Sequence, residues 1–245
     1  MRKVPEIGAY FWTIKVLSTA MGEVTSDYLV RTINPVIAVA LGGLFFAAAL
    51  ALQVSVRRYV PWVYWSAVVM VAVFGTMVAD VLHVRFGIPY LATSTFFALA
   101  LAIIFVTWYS SEKTLSIHTI YAGRREWFYW ATVMATFALG TAVGDLTAIT
   151  WHLGYLSAAA VFAVLITLPA IGYRFFRLNA VVAFWVAYVL TRPLGATFAD
   201  WIGRPRSLSG LGLGTGIVSL VLTIAIVILV GYLTITGKEV AARNA

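Results

Sequence analysis

The sequence predicts an all-α membrane protein: a polytopic bundle of about eight transmembrane helices made of four parallel two-helix repeats. Three observations predict this fold. The 245-residue chain is 62% hydrophobic and 11% charged, with a mean hydropathy of +0.95, whereas average globular chains are about 25% charged. Apolar stretches that could cross a bilayer recur along the chain, and one motif returns four times. The composition excludes a water-soluble enzyme and a disordered protein.

Eight apolar stretches are expected to form helices, each about 20 residues or longer, as a hydrocarbon core of about 30 Å requires. They cover residues 5–30, 34–56, 60–86, 89–109, 126–150, 154–173, 179–202 and 210–236. Charged residues, prolines or glycines interrupt them, as at Asn34-Pro35 and Arg204-Pro205-Arg206. The loops are short, so residues 1–245 are expected to form a single transmembrane domain. Its first apolar run contains charges and no small-residue cleavage site, which predicts a transmembrane helix and not a cleavable signal peptide.

The distribution of Lys and Arg predicts the orientation. Eleven fall on one side of the predicted membrane: Arg2, Lys3, Arg57, Arg58, Lys113, Arg124, Arg125, Arg174, Arg177, Lys238 and Arg243. Four fall on the other side: Arg31, Arg85, Arg204 and Arg206. This bias predicts that both termini are cytoplasmic. The net charge of +8 is attributed to topology and to anionic lipid headgroups, so no nucleic-acid partner is expected.

A four-fold repeat organises the chain. The motif Trp-x9-Gly-x4-Asp occurs at Trp12–Gly22–Asp27, Trp65–Gly75–Asp80, Trp130–Gly140–Asp145 and Trp185–Gly195–Asp200. The chain has four Asp residues in total, and all four occupy this position. The repeats are expected at approximately residues 1–57, 58–110, 124–175 and 178–237. Because each unit has two helices, the motif-bearing helices run in one direction and the repeats are parallel.

The segments KVPEIGAYFWTIKVLSTAMGEVTSDYL, FYWATVMATFALGTAVGDL and AFWVAYVLTRPLGATFAD carry a resemblance. They resemble a bacterial integral membrane family of unknown function, built from four tandem two-helix repeats with a characteristic Trp in each. The resemblance covers nearly the whole chain. It implies eight transmembrane helices in a bacterial inner membrane, and it associates the protein loosely with the handling of metal cations.

The aspartates are the first candidates for a functional site. A carboxylate inside a bilayer costs a few kcal/mol or more, so it faces the bundle interior or water and finds a partner. Each Asp follows its Trp by 15 residues, or about 22 Å of helix. All four are therefore expected at one depth, as an acidic ring or two acidic pairs. The motif Gly and Trp are expected to serve packing, with the Gly allowing close helix approach.

Differences between the repeats indicate a specialised site. The first repeat adds Glu23 one turn before Asp27, with Lys15 two turns earlier on the same face. The fourth adds Arg192, followed by Pro193, which is expected to kink its helix. Lys15 and Arg192 are expected to act as counter-charges that pair with acids inside the bundle. Ion binding is assigned to Glu23, Asp27, Asp80, Asp145 and Asp200.

Carboxylates with hydroxyls suit hard cations such as Mg²⁺ or Mn²⁺, and a histidine shifts the preference towards transition metals. The predicted metal ligands are therefore Glu23, Asp27, Asp80, His83, Asp145 and Asp200. Cysteine is absent, which argues against copper. No phosphate-binding loop or nucleophile–base pattern is present, so we expect no catalytic residues and no enzyme, and no cofactor besides a bound divalent cation.

These observations favour a secondary transporter of a cation, a divalent metal such as manganese first, with proton exchange as a variant. Its partners would be the cation and the lipid bilayer; a homo-oligomer remains open. One alternative is a membrane protein that binds haem, quinone or lipid through its aromatic-rich helices. The other is a membrane scaffold whose acids pair with basic residues and transport nothing.

Overall fold

The computed structural model describes residues 2–237, and within that range the regular structure is helical throughout. Eight helices are present: α1 Ala9–Thr32, α2 Pro35–Ser55, α3 Pro61–Asp80, α4 Tyr90–Glu112, α5 Arg124–Asp145, α6 Gly154–Phe175, α7 Ala180–Gly203 and α8 Thr215–Thr236. They confirm the predicted all-α bundle. Lys238 and Arg243, which were assigned to the cytoplasmic side, lie outside the described residues.

Local sequence explains where several helices begin. Asn34 and Asn179 cap α2 and α7, because their side-chain oxygens accept hydrogen bonds from Val36 N and Val181 N at 2.9 Å. Pro61 opens α3 at the first turn, where a missing N–H costs nothing. α7 continues through Pro193 to Gly203. The regular helical geometry of α6 is interrupted at Ile166, which separates Gly154–Leu165 from Thr167–Phe175.

Seven of the eight helices described are long and apolar enough to cross a membrane. The exception is α1, which has 24 residues and is therefore about 36 Å long. Its length suffices, but it carries Lys15, Glu23, Asp27 and Arg31. The first helix is thus held in the bundle by its neighbours and not by its own hydropathy.

The four odd-numbered helices form a closed ring. α1 packs against α3, α3 against α5, α5 against α7, and α7 returns to α1. We call α1, α3, α5 and α7 the ring helices. Most of their motif residues are buried, whereas the even-numbered helices leave much of their surface exposed on the outside of the bundle. The even-numbered helices are therefore the outer helices.

Each outer helix packs against the ring helix of the following repeat. α2 lies on α3, α4 on α5, and α6 on α7, and α8 closes the circle by lying on α1. The two helices of the first repeat, α1 and α2, share much less contact. The repeat defined by sequence is thus not the packing unit, because every outer helix couples its own repeat to the next.

The motif glycines lie at the contacts between ring helices. A Cβ atom added at Gly22, Gly75, Gly140 or Gly195 would lie closer to the next ring helix than van der Waals contact allows. The residue it meets always lies three positions before that helix's own motif glycine: Ala72, Phe137, Arg192 and Thr19, respectively. The predicted role of glycine in close helix approach is confirmed, and the ring repeats one contact four times.

The aromatic residues repeat a second contact around the ring. The aromatic residue that precedes each motif Trp in the sequence touches the motif Trp of the next repeat, with the centroids of the two aromatic rings 5.6–6.3 Å apart. The four pairs are Phe11–Trp65, Tyr64–Trp130, Tyr129–Trp185 and Phe184–Trp12. The two rings of each pair are tilted by about 50° to one another, and aromatic contacts of this kind add to the apolar burial. The motif Trp residues are therefore packing devices, as predicted.

Candidate functional site: a column of charge inside the helix ring

The ring encloses a column of inward side chains in successive levels. We call the end that holds residues 2–8 the terminal face and the opposite end the distal face. Counting in steps of four residues along each ring helix places one residue per helix in each level. From the terminal face these are Phe11, Tyr64, Tyr129 and Phe184; Lys15, Val68, Val133 and Tyr188; Thr19, Ala72, Phe137 and Arg192; Glu23, Thr76, Thr141 and Ala196; and Asp27, Asp80, Asp145 and Asp200. Nearly all are buried.

The four aspartates lie near the distal ends of the ring helices. Asp80 and Asp145 close the regular α-helical parts of α3 and α5. Asp27 and Asp200 lie in the last turns of α1 and α7. The prediction that all four aspartates lie towards the same end of the molecule is confirmed. The motif position also places all four carboxylates on the inner side of the ring.

The aspartates divide into two pairs with different partners. Arg204, which follows α7, binds Asp27 with an Nη2–Oδ2 distance of 3.1 Å and Asp200 with an Nε–Oδ1 distance of 2.9 Å. Burial opposes the charge on Arg204, but attraction to Asp200 and Asp27 outweighs it and holds the pKa of Arg204 above its ordinary value. Within residues 2–237, Asp80 and Asp145 have no basic side chain at ion-pair distance.

The helices of the unpaired aspartates also differ in backbone geometry. Five residues in π-helical geometry follow each one, Val81–Arg85 after Asp80 and Leu146–Thr150 after Asp145. Such turns widen a helix and often occur at functional sites. α1 and α7 continue as regular α-helix past Asp27 and Asp200. The second and third repeats, which carry Asp80 and Asp145, therefore form one kind of site, and the first and fourth repeats form another.

Glu23 lies one level deeper and is fully enclosed. Arg192 Nη2 donates to Glu23 Oε2 at 2.7 Å, and both side chains are at most 1% exposed. Arg192 also donates to the hydroxyls of Thr76 and Thr141 and to the carbonyl oxygen of Thr19. Thr141 and Thr76 lie 3.4 and 3.5 Å from Glu23 Oε2, where their hydroxyls donate to it. The predicted counter-charge role of Arg192 thus has a defined partner.

Lys15 does not pair with an acid in this conformation, contrary to the prediction from sequence. Its ammonium position lies 3.9 Å from the centre of the Phe137 ring and 4.2 Å from that of Tyr188. Nζ has no hydrogen-bond partner in the described part of the chain. The acid on the same helix face, Glu23, is two turns away and engaged by Arg192.

The predicted metal ligands are not gathered into one centre. Within the residues that the structure describes, no three His, Asp or Glu side chains are grouped in a way that could hold a metal ion. His83 turns to the α3–α4 connection, where Nδ1 lies 2.9 Å from the Ile88 carbonyl oxygen and the ring stacks on Tyr90. Arginines engage Glu23, Asp27 and Asp200. A cation would therefore need either the free carboxylates of Asp80 and Asp145 or release of an arginine.

Comparison with known families identifies the repeat. Four segments, 10–59, 63–114, 128–178 and 183–239, match the family described as Repeat of Unknown Function (DUF347). The chain belongs to this family. The four matches coincide with the four helix pairs, so each DUF347 repeat contains one ring helix and one outer helix. No curated protein and no solved structure matches the chain.

Two basic residues of the DUF347 chain, Arg204 and Lys3, form ion pairs that the sequence did not predict. The sequence analysis assigns Arg204 to a loop, although a spacing of four residues from Asp200 is typical of an ion pair along one helix. Lys3 was counted as a topology charge. Its Nζ donates to Glu126 Oε2 at 2.7 Å and to the Gln53 carbonyl oxygen at 2.8 Å, and the side chain is fully buried. No local pattern signals that pair, since its partners lie 50 and 123 residues away.

Proposed function

We propose that this protein is a secondary transporter of a cation, with a divalent metal such as manganese as the first substrate class and protons as the exchanged ion. One observation carries the proposal: within residues 2–237, Asp80 and Asp145 lie partly or fully buried and without a basic partner, at one end of a column that holds further charges. Ionisable groups inside a membrane bundle are retained at a cost and mark ion pathways by default.

The remaining charges fit a transport cycle. A cation that enters from the distal face meets Asp80 and Asp145 first. The next carboxylate along the column is Glu23, which Arg192 occupies. Arg192 and Arg204 would act as internal counter-charges that hold the acids while no cation is bound. Breaking a buried pair is unfavourable unless another charge replaces the lost partner, so a cation at Glu23 and an arginine at Glu23 are alternatives.

The divalent-metal proposal rests on ligand chemistry. Carboxylate oxygens and the hydroxyls of Thr76 and Thr141 suit hard cations such as Mn²⁺. Asp80 and Asp145 supply two carboxylates, and Glu23 supplies a third when Arg192 leaves. In the conformation described above the arginines keep these groups from converging, so metal binding would be coupled to movement of α7, which carries Arg192.

The proposed location is a bacterial inner membrane with both termini in the cytoplasm. The seven apolar helices support a multi-pass membrane protein. The Lys and Arg bias towards the terminal face supports the orientation. Cation access from the distal face would then be access from outside the cytoplasm.

Uptake into proteoliposomes tests the transport proposal. Wild type and the variants Asp80→Asn, Asp145→Asn and Glu23→Gln would be reconstituted at equal amounts and offered Mn²⁺. Asn and Gln keep shape and hydrogen bonding but remove the charge, so each variant is expected to fold and to lose uptake by at least tenfold. Glu112→Gln is the matched control, because Glu112 pairs with Arg124 and Arg125 on the terminal face. Full uptake by all three column variants would remove the transport proposal.

A second candidate function rests on a separate observation. An apolar groove of about 730 Å³ lies on the outside of the ring between α1, α6 and α7, with Trp12, Phe184, Tyr173 and Pro169 among its walls. A groove of this kind suits a quinone or a lipid tail. Organic extraction and an absorbance spectrum of the purified protein test this candidate. A co-purified quinone or haem would favour it over transport.

A further inference from the structure

The amine of Lys15 is buried, and aromatic rings surround it in the place where an acidic partner is expected. It is 1% exposed, and the rings of Phe137 on α5 and Tyr188 on α7 flank its Nζ. Charged and titratable groups face Lys15 from its own helix and from the ring helices packed around it. They are Glu23 and Asp27 on α1, Tyr64 and Asp80 on α3, Tyr129 and Asp145 on α5, and Tyr188 and Arg192 on α7; the buried residues of α8 are Val218, Ser219, Ile226, Val230 and Leu233.

The charges in the middle of the column do not balance if Lys15 carries a proton. Two cations, Lys15 and Arg192, would then accompany a single acid, Glu23. Arginine does not lose its proton in proteins, and Glu23 is already bound to it at 2.7 Å. A cation–π contact is much weaker than the cost of burying an unpaired ion. The column is neutral at this depth when Lys15 is an uncharged amine.

We propose that Lys15 is the proton-carrying group of the protein: a neutral amine in this conformation that takes up one proton when the column can accept a positive charge. This inference rests on the proposed cation transport and names its coupling residue. Proton uptake forms one N–H bond on Nζ, with the proton supplied by a hydronium ion of the aqueous phase. Proton release reverses the same step and leaves the lone pair on nitrogen.

Electrostatics make the proton and the cation alternatives. Lys15 and Glu23 are eight residues apart on α1, or about 12 Å along the helix. Each added charge, a proton on Lys15 or a cation at Glu23, raises the net charge of the same buried column by at least one. At an effective dielectric constant of about 20, one unit charge lowers the affinity for the other about tenfold. A proton on Lys15 and a cation at Glu23 therefore disfavour each other, which is the requirement for exchange.

The protonation state of Lys15 can be observed without transport. The chain has four lysines, Lys3, Lys15, Lys113 and Lys238, so ¹⁵N NMR of lysine Nζ in detergent gives few signals. Lys15→Met assigns the Lys15 signal, since Met has similar length and no charge, and Lys113→Met is the exposed control. We expect one neutral-amine signal near neutral pH that disappears in Lys15→Met. The inference is overturned if Lys15 gives an ammonium signal at every pH from about 6 to about 9.

Coupling is measured separately in proteoliposomes. In wild type, an outward proton gradient is expected to raise the initial rate of Mn²⁺ uptake about tenfold over no gradient; in Lys15→Met the ratio is expected to fall to about one. An unchanged ratio in Lys15→Met overturns the coupling role. Absence of Mn²⁺ uptake in wild type would instead reject the proposed function, and the NMR signal would still decide whether Lys15 is neutral. Lys15→Arg, which is permanently charged, is expected to fold poorly or to bind Mn²⁺ about tenfold more weakly.

Discussion

A single motif position supplies carboxylates with two different environments. Asp27 and Asp200 share Arg204, whereas Asp80 and Asp145 precede π-helical turns and have no basic partner in residues 2–237. An acid bound by a guanidinium is already compensated, but an acid without a partner attracts whatever cation can reach it. The side chain is the same in all four repeats, so the difference in chemistry arises from Arg204, which the fourth repeat provides to Asp200 and to Asp27.

The Glu23–Arg192 pair is expected to show strong coupling between its two members. Arg192→Met alone should lower the free energy of unfolding by about 3–5 kcal/mol, because it leaves a buried carboxylate without its partner. The double variant Arg192→Met with Glu23→Gln should recover most of that loss. Reversible unfolding in mixed detergent measures all three proteins. If the single and double variants were equally unstable, the pair would contribute through packing and not through charge.

The sequence could predict the presence of these acids but not their partners. The Trp–Gly–Asp spacing placed the four aspartates at one end and inside the bundle, and Arg192 was correctly expected to meet an acid. Lys15 was expected to do the same and does not, because Glu23 is already bound by Arg192, which lies 169 residues later in the chain. Arg204 could not be assigned to Asp27 either, since that contact requires α7 to lie beside α1.

At the scale of helices, the ring depends on glycine at each contact. Four successive close approaches, each to the residue three positions before the next motif glycine, fix the register between neighbours. That register brings Thr76 and Thr141 level with Glu23. The charge column is therefore a product of packing: sliding one ring helix by a turn would separate Arg192 from its acceptors.

Replacing a motif glycine should therefore disturb stability and function together. At Gly195 an added Cβ would collide with Thr19 and the backbone of Ala20, so Gly195→Ala should cost about 1–3 kcal/mol of stability. Gly231→Ala on α8 is the matched control, because its nearest neighbour, Trp62, lies 3.7 Å from the added atom. That control should be neutral or stabilise the helix by up to about 1 kcal/mol. Thermal unfolding of both variants in one detergent makes the comparison, and equal stability would contradict the close-approach role.

The number of helices and most of their boundaries followed from the apolar stretches and loop residues, but their packing did not; α1 begins at Ala9 and α8 at Thr215, several residues later than predicted. A sequence repeat suggests that α1 and α2 form one compact pair. In the structure α2 belongs with α3, because the ring gains a continuous wall when each outer helix covers the next ring helix. Nothing in the local pattern of the outer helices distinguishes these choices, since their apolar residues suit either neighbour.

The whole molecule presents two faces of unequal charge, and this inequality makes its orientation testable. The chain lacks cysteine, so single cysteines can be introduced without a prior deletion. Lys113→Cys on the terminal face and Arg206→Cys on the distal face are both exposed positions. A membrane-impermeant maleimide added to intact spheroplasts is expected to label Arg206→Cys at once and Lys113→Cys after lysis. The opposite pattern would place the terminal face outside.

Closure of the ring by α7 has a consequence for synthesis. Glu23 leaves the ribosome 169 residues before Arg192, a delay of roughly 10–30 s at about 5–20 residues per second. During that interval α1 has Lys15, Glu23 and the Asp27–Arg31 pair, but neither Arg192 nor Arg204, which bind Glu23 and Asp27 in the finished protein. We therefore expect stable insertion of α1 to wait until α7 has been made. The last quarter of the chain thus completes the membrane integration of the first.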